Sequence, residues 1–239
     1  MSESLLHPVF QPVVRLSHDG GHRLSYFEVL MRMTGDSSNS LHVNLIRAGE
    51  RMGFIGALDI TMLGKSLEIL EACPCVNLSI NLSVDTVEYF FNEVDKRLDA
   101  VPPEHFSRLI IEVTETHCPQ SYAVISRHAE AMRRKGIRLA VDDFGEGFGD
   151  EKMVEALLPA IVKMPGSAIT DDALVFRAVS AARSVGGEVV AEHVTTHEAA
   201  KRMLDMGVTY AQGFLFGRPS SALSVDVAAL EQQLVEVCR

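Results

Sequence analysis

The sequence predicts an α/β fold, a TIM-like (β/α)8 barrel with one antiparallel strand. Eight short apolar runs of β type alternate with helical patterns along the chain. The length of 239 residues is close to the ~250 that such barrels commonly use. No segment rich in Pro, Gly or Ser is long enough to separate two domains, so we expect a single domain over residues 1–239.

The predicted strands are the eight runs with β-type composition. They cover residues 9–16, 26–33, 76–82, 109–113, 137–144, 160–164, 188–191 and 208–216. The connection from Ser17 to His22 is a short polar turn with two glycines, and it has no room for a helix. We therefore expect the first two strands to form a hairpin, which makes one strand of the barrel antiparallel.

The predicted helices are the segments with apolar residues at helical spacing. They cover residues 41–52, 58–70, 84–98, 122–134, 173–184 and 198–206. Gly136, Gly186 and Gly207 each follow such a segment just before the next strand, where a glycine commonly ends a helix. An open doubly wound sheet is the alternative architecture, and it would place ligands at the same strand ends.

The composition restricts the class of function. The chain has 32 acidic and 22 basic residues, a formal net charge of -10, which argues against a nucleic-acid groove or an anionic membrane surface. No apolar run approaches the ~20 residues of a membrane span, and the N-terminus lacks signal-peptide features. We expect a cytoplasmic location, free or as the cytoplasmic part of a membrane-anchored protein. The four cysteines contain no CxxC pair and fit reduced thiols.

Residues 139–148 carry the strongest functional signal. An apolar strand runs into Asp142 and Asp143 and then into a turn that contains Gly145 and Gly147. Two adjacent carboxylates beside an apolar core need a cation, and a divalent ion is the usual partner. An aspartate that caps a helix is the structural alternative. Two aspartates followed by two glycines favour a metal or phosphate site.

Polar side chains lie at or near the ends of seven predicted strands. They are Glu28, Asn81, Glu112, Asp142 with Asp143, Lys163, Glu192 and Gln212. Each has a structural explanation when taken alone, since Glu28 could face solvent and Asn81 could belong to a turn. Strand ends of a barrel share one mouth, so seven polar ends together favour a functional site.

The chemistry of these side chains predicts the type of site. The candidate ligands are all hard oxygens, which selects Mg²⁺ or Mn²⁺ over zinc or copper. Five carboxylates suit two ions that share a bridging aspartate, an arrangement that serves phosphoester hydrolysis. Lys163 adds a cation that could orient the nucleophilic water or stabilise phosphoryl charge. We interpret His193, which directly follows Glu192, as a solvated loop residue.

Eight short motifs are distributed along nearly the whole chain. They are Phe10-Gln11-Pro12, Glu28-Val29-Leu30-Met31-Arg32, Ile80-Asn81-Leu82-Ser83, Glu112-Val113-Thr114-Glu115, Asp142-Asp143-Phe144-Gly145, Lys163, Ala191-Glu192 and Gln212-Gly213-Phe214. In these motifs the chain resembles the EAL domain of bacterial cyclic di-GMP phosphodiesterases. The resemblance implies a TIM-like barrel with one antiparallel strand, in agreement with the hairpin expected from the first connection.

The resemblance also implies a metal-dependent catalytic site. The metal ligands would be Glu28, Asn81, Glu112, Asp142, Asp143 and Glu192. Asp142 would belong to both of two ions, Mg²⁺ or Mn²⁺. Glu192 and Lys163 would be the catalytic residues, with Glu192 assisting water attack and Lys163 positioning that water. The implied reaction opens cyclic di-GMP to the linear dinucleotide pGpG.

A substrate pocket and partners follow from the same resemblance. Arg32 would bind phosphate, and Gln11, Leu30 and Gln212 would line the nucleotide pocket. Glu115 would anchor the loop that follows Asp143. We expect a homodimer that binds no nucleic-acid polymer and does not insert into a membrane. We also expect a domain excised from or related to a larger signalling protein with flanking sensory or GGDEF-type domains.

Several positions depart from the family pattern. The loop that usually reads Thr-Gly-Tyr-Ser-Ser is Glu-Gly-Phe-Gly-Asp at residues 146–150, and Val29 replaces an alanine. Aspartate is absent after Lys163-Met164, and Thr195 and Thr209 stand where acidic residues are usual. Because every candidate ligand is present, we expect hydrolysis, with reduced activity as one outcome. The alternative is a receptor that binds cyclic di-GMP without cleaving it and signals to a protein partner.

Overall fold

The structure is a computed structural model that describes residues 5–18, 21–35, 40–114 and 117–223. Within these ranges eight strands close into a barrel in chain order. They are β1 (Leu6–Arg15), β2 (Arg23–Met33), β3 (Leu78–Ser83), β4 (Leu109–Thr114), β5 (Arg138–Val141), β6 (Ile161–Met164), β7 (Glu188–Ala191) and β8 (Tyr210–Gln212). β1 pairs antiparallel with β2 and β8, and the other neighbouring strands pair in parallel. The predicted barrel with one antiparallel strand is confirmed, and the open-sheet alternative is wrong.

Helices surround the barrel and bury its outer face. In the described part of the chain they are α1 (Leu41–Met52), α2 (Ile55–Ala72), α3 (Val84–Tyr89), α4 (Phe91–Asp99), α5 (Tyr122–Arg134), α6 (Glu151–Leu157), α7 (Asp172–Ser184) and α8 (His197–Asp205). Short 3₁₀ helices cover Pro103–Arg108 and Gly166–Thr170. Gly136, Gly186 and Gly207 follow α5, α7 and α8 with φ of 91°, 74° and 92°, so the predicted helix-ending glycines are confirmed.

The segment 84–98, predicted as one helix, forms the two helices α3 and α4. Phe90 leaves the helical conformation, with φ of -112° and ψ of 16°. Its ring packs on α2 at Gly56, where an added Cβ would lie 2.7 Å from Cδ2 of Phe90. Packing against α2 therefore overrides the continuous helical pattern of the sequence.

Two strands, β5 and β8, are much shorter than predicted, and the helix α6 was not predicted. β5 ends at Val141 because Asp143 turns into the left-handed region, with φ of 46°. β8 ends at Gln212 because Gly213 meets the backbone of Val194, where a Cβ would lie 2.1 Å from the carbonyl oxygen. The helix α6 lies between the predicted turn and the next predicted strand, where no element was expected. Within the described residues, no helix is long and apolar enough to cross a bilayer.

The barrel interior contains two stacked sets of side chains. We define the apolar layer as Val13, Tyr26, Ile110, Ala140, Ile161 and Val190. We define the charged layer as Glu28, Glu112, Asp142, Lys163 and Glu192. Each member of the charged layer lies two residues beyond a member of the apolar layer, and side chains two apart on a strand point to the same face. The strands therefore deliver apolar groups to the middle of the barrel and charges to its mouth.

Candidate active site

The charged layer is organised around the ammonium group of Lys163. Its Nζ lies 2.6 Å from Oε2 of Glu112, 2.7 Å from Oε1 of Glu192, 3.2 Å from Oδ1 of Asp142 and 3.4 Å from Oε2 of Glu28. Lys163 is 1% exposed and Glu112 is 0% exposed, so the ion pairs are shielded from water. Carboxylates that lie on or directly after four other strands thus converge on one point.

Two amide side chains hold Glu28 in place. Nδ2 of Asn81 donates a hydrogen bond of 2.8 Å to Oε1 of Glu28, and Nε2 of Gln212 donates one of 2.6 Å to Oε2. The same nitrogen of Gln212 lies 3.2 Å from Oε1 of Gln11. Gln212 was predicted to line the nucleotide pocket, and the structure gives it a further role as a support for Glu28.

Burial raises the pKa values of three carboxyl groups. It raises the pKa of Glu112 and of Glu192 to about 8, with neighbouring carboxylates adding to the effect and Lys163 opposing it. Burial also raises the pKa of Asp143 to about 6, and the charge of Asp142 adds to the shift. Burial in the barrel therefore disfavours the ionised form of these groups unless a cation joins the site.

Glu28 and Lys163 are shifted toward their charged forms. For Glu28, burial is outweighed by Lys163 and by the hydrogen bonds from Gln212 and Asn81, so its pKa is lowered. For Lys163, burial is outweighed by the surrounding carboxylates, with Asp142 first, so its pKa is raised well above its usual value. This pair therefore remains ionised inside the barrel, while the raised pKa values of Glu112, Glu192 and Asp143 favour a bound proton or cation.

The donor atoms of the mouth fit divalent cations. Carboxylate oxygens of Asp142, Asp143 and Glu192 all lie within 4.8 Å of one another. Among the described residues, Oδ1 of Asn81 and Oε1 of Glu112 are buried without a hydrogen-bond partner. Oδ1 of Asp142 also lacks a hydrogen bond, although it lies 3.2 Å from Nζ of Lys163. Buried oxygens without partners are unfavourable, and a hard cation such as Mg²⁺ or Mn²⁺ would satisfy them.

A cavity of about 690 Å³ opens at the charged layer. Its volume lies in the usual range of small-molecule sites, roughly 300–1,000 Å³. The predicted pocket residues that line it are Gln11, Leu30, Arg32 and Gln212. Nη1 of Arg32 donates a hydrogen bond of 2.8 Å to the carbonyl oxygen of Met31. The structure thus brings the predicted pocket and five of the six predicted ligands to one cavity, whereas Glu112 is fully buried and does not line it.

The part of the cavity wall that α1 and α2 supply was not predicted from the sequence. This part includes His42, Arg47, Glu50 and Asp59. Oδ2 of Asp59 accepts hydrogen bonds from the backbone N (2.8 Å) and Oγ (2.8 Å) of Ser83 and from Oγ1 of Thr86 (2.6 Å). Asp59 therefore fixes the end of β3 two residues after Asn81. The only available signal was one aspartate in a largely apolar helix, which does not reveal what the helix packs against.

The loop between β5 and α6 is the segment that departs most from the family pattern. The backbone N of Gly145 donates to the carbonyl oxygen of Gly149 over 2.6 Å and closes the loop. Oδ1 of Asp150 accepts from the backbone N of Lys152 and of Met153 and caps α6. Oγ of Ser167 donates to Oε1 of Glu146 over 2.5 Å.

The two carboxylates that this loop adds thus make structural contacts outside the metal-ligand group. A Cβ on residue 149 would lie 2.8 Å from the carbonyl oxygens of Asp142 and Asp143, so the close approach of the loop requires glycine there. Glu115, which was predicted to anchor this loop, lies outside the described residues.

Comparison with known proteins agrees with this geometry. The profile of the EAL domain family matches residues 1–219. The cyclic di-GMP phosphodiesterase PdeF of Escherichia coli is 26% identical over 208 residues, which cover 81% of this chain and 28% of PdeF. The blue light- and temperature-regulated antirepressor BluF of Escherichia coli is 24% identical over 225 residues, which cover 89% of this chain and 53% of BluF. The chain therefore spans only part of the length of these relatives.

A solved structure has the same fold. Klebsiella pneumoniae BlrP1, in a complex with manganese and cyclic di-GMP at pH 6, matches with a TM-score of 0.72. The match is 23% identical in sequence and covers 94% of this chain and 58% of BlrP1. At this level of identity the likeness establishes the architecture of the barrel.

Proposed function

Since the chain belongs to the EAL domain family, we propose that it is a metal-dependent phosphodiesterase that hydrolyses cyclic di-GMP to linear pGpG. The observation that carries the proposal is the charged layer, in which Lys163 and four carboxylates meet at the cavity. Support comes from the names of similar proteins, since PdeF is a cyclic di-GMP phosphodiesterase and BlrP1 forms a complex with cyclic di-GMP.

We assign the binding of two divalent ions, Mg²⁺ or Mn²⁺, to the oxygen ligands at the mouth. The ligands would be Glu28, Asn81, Glu112, Asp142, Asp143 and Glu192. When bound, such ions activate water as a nucleophile and offset the charge of a phosphoryl group. The oxygens of Asn81 and Glu112 that lack partners support this assignment.

The residues of the chain would orient the substrate and move the proton. Arg32 binds a phosphate oxygen, because its guanidinium lines the cavity and offers several N–H donors. Glu192 accepts the proton of the attacking water. Lys163 holds Glu192 in position through the contact of 2.7 Å between Nζ and Oε1. Gln11 and Leu30 contact the nucleotide along the cavity wall.

The direct test is the conversion of cyclic di-GMP to pGpG by the purified protein with Mg²⁺ or Mn²⁺. The variant Glu192→Gln should lower the rate by about 10³-fold, because it removes the proton acceptor, and should keep the affinity for the dinucleotide in calorimetry. The matched control is Glu188→Gln at the other end of β7, where Glu188 accepts a hydrogen bond from Tyr210 outside the cavity. Absence of pGpG from a wild-type sample with bound metal would reject the enzyme.

A cyclic di-GMP receptor without turnover is the second candidate. The loop after Asp143 favours the receptor, because it departs most from the family pattern and its added carboxylates make structural contacts. Asp150 caps α6, and Glu146 accepts a hydrogen bond from Ser167. Catalysis requires ligands held to within ~0.5 Å, while binding tolerates more variation. BluF, to which the chain is similar, is an antirepressor. Calorimetry that detects affinity in a sample producing no pGpG supports the receptor, and absence of affinity rejects it.

We also propose that the protein is a homodimer. Large apolar side chains are exposed on its surface, including Phe176 on α7 at 71% and Phe148 in the loop before α6 at 39%. Exposed aromatic side chains are common where two proteins meet. Light scattering coupled to size exclusion should give twice the chain mass, and a monomer at micromolar concentration would reject the proposal.

A further inference from the structure

The connection after β7 forces residue 193 into the left-handed backbone region. The backbone N of Glu192 donates to the carbonyl oxygen of Met164 over 3.1 Å, and the backbone N of Val194 donates to that of Gln212 over 2.9 Å. Both neighbours of His193 are therefore tied to adjacent strand ends, β6 on one side and β8 on the other. Between them His193 has φ of 55°, which is uncommon for any residue except glycine.

A glycine on the neighbouring loop makes room for the side chain of His193. Gly166 begins the 3₁₀ helix after β6, and an added Cβ there would lie 2.7 Å from Cβ of His193 and 3.0 Å from its Cγ. The missing Cβ of Gly166 thus leaves the space that the side chain of His193 occupies. Unfavourable backbone conformations that the surrounding structure maintains are concentrated at functional sites.

The imidazole of His193 lies in the wall of the cavity. His193 is exposed and lines the same cavity as Glu192, Asp142 and Asp143. Its immediate chain neighbour in the wall, Glu192, is bound to Lys163 inside the charged layer. From the sequence, His193 was expected to be a solvated loop residue. Its position in the cavity wall gives the side chain access to a ligand.

Two donors of the site are already engaged by carboxylates. Lys163 is 1% exposed and its ammonium is surrounded by four carboxylates, so it is not available to an anion in the cavity. Nε2 of Gln212 donates to Glu28. Arg32, on β2, also lines the cavity. A neutral imidazole carries one N–H in either tautomer, which suits an oxygen of a phosphodiester.

From this arrangement we propose that His193 contacts the substrate and donates a hydrogen bond to a phosphodiester oxygen of the bound cyclic dinucleotide. The inference rests on the proposed function, since it names a further residue of the same site. Together with Arg32, His193 restricts how the phosphodiester lies over the carboxylates.

The test compares cyclic di-GMP binding in the Glu192→Gln background, so that turnover does not consume the ligand. Adding His193→Gly removes the donor and keeps the backbone conformation, and it should raise the Kd for cyclic di-GMP about tenfold. His193→Asn tolerates the left-handed region and keeps an N–H, so it should recover part of the affinity. His197→Ala is the matched control, because His197 begins α8, is exposed and lies outside the cavity wall.

Two further readouts separate a substrate contact from a structural role. Neither the Mn²⁺ affinity nor the melting temperature should fall in the His193→Gly variant. A Kd for cyclic di-GMP that His193→Gly leaves unchanged would overturn the inference and leave the proposed function intact. A loss of Mn²⁺ affinity that parallels the loss of dinucleotide affinity would also overturn it. If the parent Glu192→Gln protein binds Mn²⁺ and no cyclic di-GMP, both the inference and the proposed function are rejected.

Discussion

The apolar layer and the charged layer are built by the same strands, two residues apart, and differ in what they contribute. On β6, Ile161 is 4% exposed and Lys163 is 1% exposed, and on β4 both Ile110 and Glu112 are 0% exposed. At these positions the side chains of the two layers are therefore buried to a nearly equal degree. Burial of the apolar layer stabilises the barrel by removing apolar surface from water, whereas burial of the charged layer opposes ionisation and raises pKa values.

Packing of apolar side chains elsewhere in the barrel therefore offsets the unfavourable burial of the charged layer. The ion pairs of Lys163 recover part of the desolvation energy of the carboxylates, but burial still raises the pKa values of Glu112 and Glu192 to about 8. A closed barrel with an apolar layer directly below supplies the rigid support that such a cluster needs. The two layers should consequently respond in opposite ways to substitutions, metal ions and pH.

The largest difference between the layers is expected from substitutions on β6. Lys163→Met should lower the free energy of unfolding by about 3 kcal/mol at neutral pH, because it leaves buried carboxylates without their cation. Ile161→Val, in the apolar layer of the same strand, should cost about 1 kcal/mol. Urea unfolding monitored by circular dichroism measures both values. The double variant Lys163→Met with Glu112→Gln should recover part of the loss, and equal effects for the two single variants would contradict the comparison.

Divalent metal ions should stabilise the protein through the charged layer alone. At about 100 times the Kd, Mn²⁺ is expected to add roughly 2.7 kcal/mol to the free energy of unfolding, which corresponds to a rise of several degrees in melting temperature. Differential scanning fluorimetry with and without Mn²⁺ measures the shift. The shift should persist in Ile161→Val and be much smaller in Asp142→Asn. A shift of the same size in both variants would place the ion elsewhere.

The metal-free protein should lose stability as the pH rises through the pKa of Glu112. Its pKa is raised from 4.5 to about 8 by burial, so the folded state binds a proton more tightly than the unfolded state. The contribution to stability is full below pH 4.5 and is lost as the pH approaches and passes about 8. Urea unfolding in the presence of a chelator should give a steeper decline with pH for the wild type than for Glu112→Gln. Equal slopes would contradict the expectation.

The smallest effect is expected from Tyr26, the polar member of the apolar layer. Its hydroxyl is buried and has no hydrogen-bond partner among the described residues, and burial raises the pKa of the phenol well above its usual value. Tyr26→Phe removes an unsatisfied polar atom and should raise the free energy of unfolding by about 1 kcal/mol. Chemical denaturation can resolve a change of this size. A clear loss of stability would show that the hydroxyl has a partner in solution.

Much of the architecture and most of the site residues could be predicted from local sequence patterns. The alternation of β-type runs and helical segments predicted the barrel, and the short polar turn after the first run predicted the antiparallel strand, both of which are confirmed. Charged residues within or directly after apolar runs identified Glu28, Glu112 and Glu192, because a charge beside an apolar run is visible within a few residues. The roles of these side chains in catalysis stay predictions.

Other features could not be predicted because they depend on which elements become neighbours. The break at Phe90 follows from packing on α2, and the fixation of β3 by Asp59 follows from the position of α2 beside Ser83. Gln212 on β8 supports Glu28 on β2, and this contact joins residues that are far apart in the chain. The position of His193 in the cavity wall depends on hydrogen bonds to two neighbouring strands.

Local periodicity specifies the order of strands and helices and the residue types available near each strand end. The folded barrel is needed to show that Lys163 lies among four carboxylates and that oxygens of Asn81 and Glu112 remain without hydrogen-bond partners among the described residues. Electrostatic energies and hydrogen bonds depend on distances between side chains that are far apart in the chain. Barrel closure fixes those distances, and a linear pattern does not contain them.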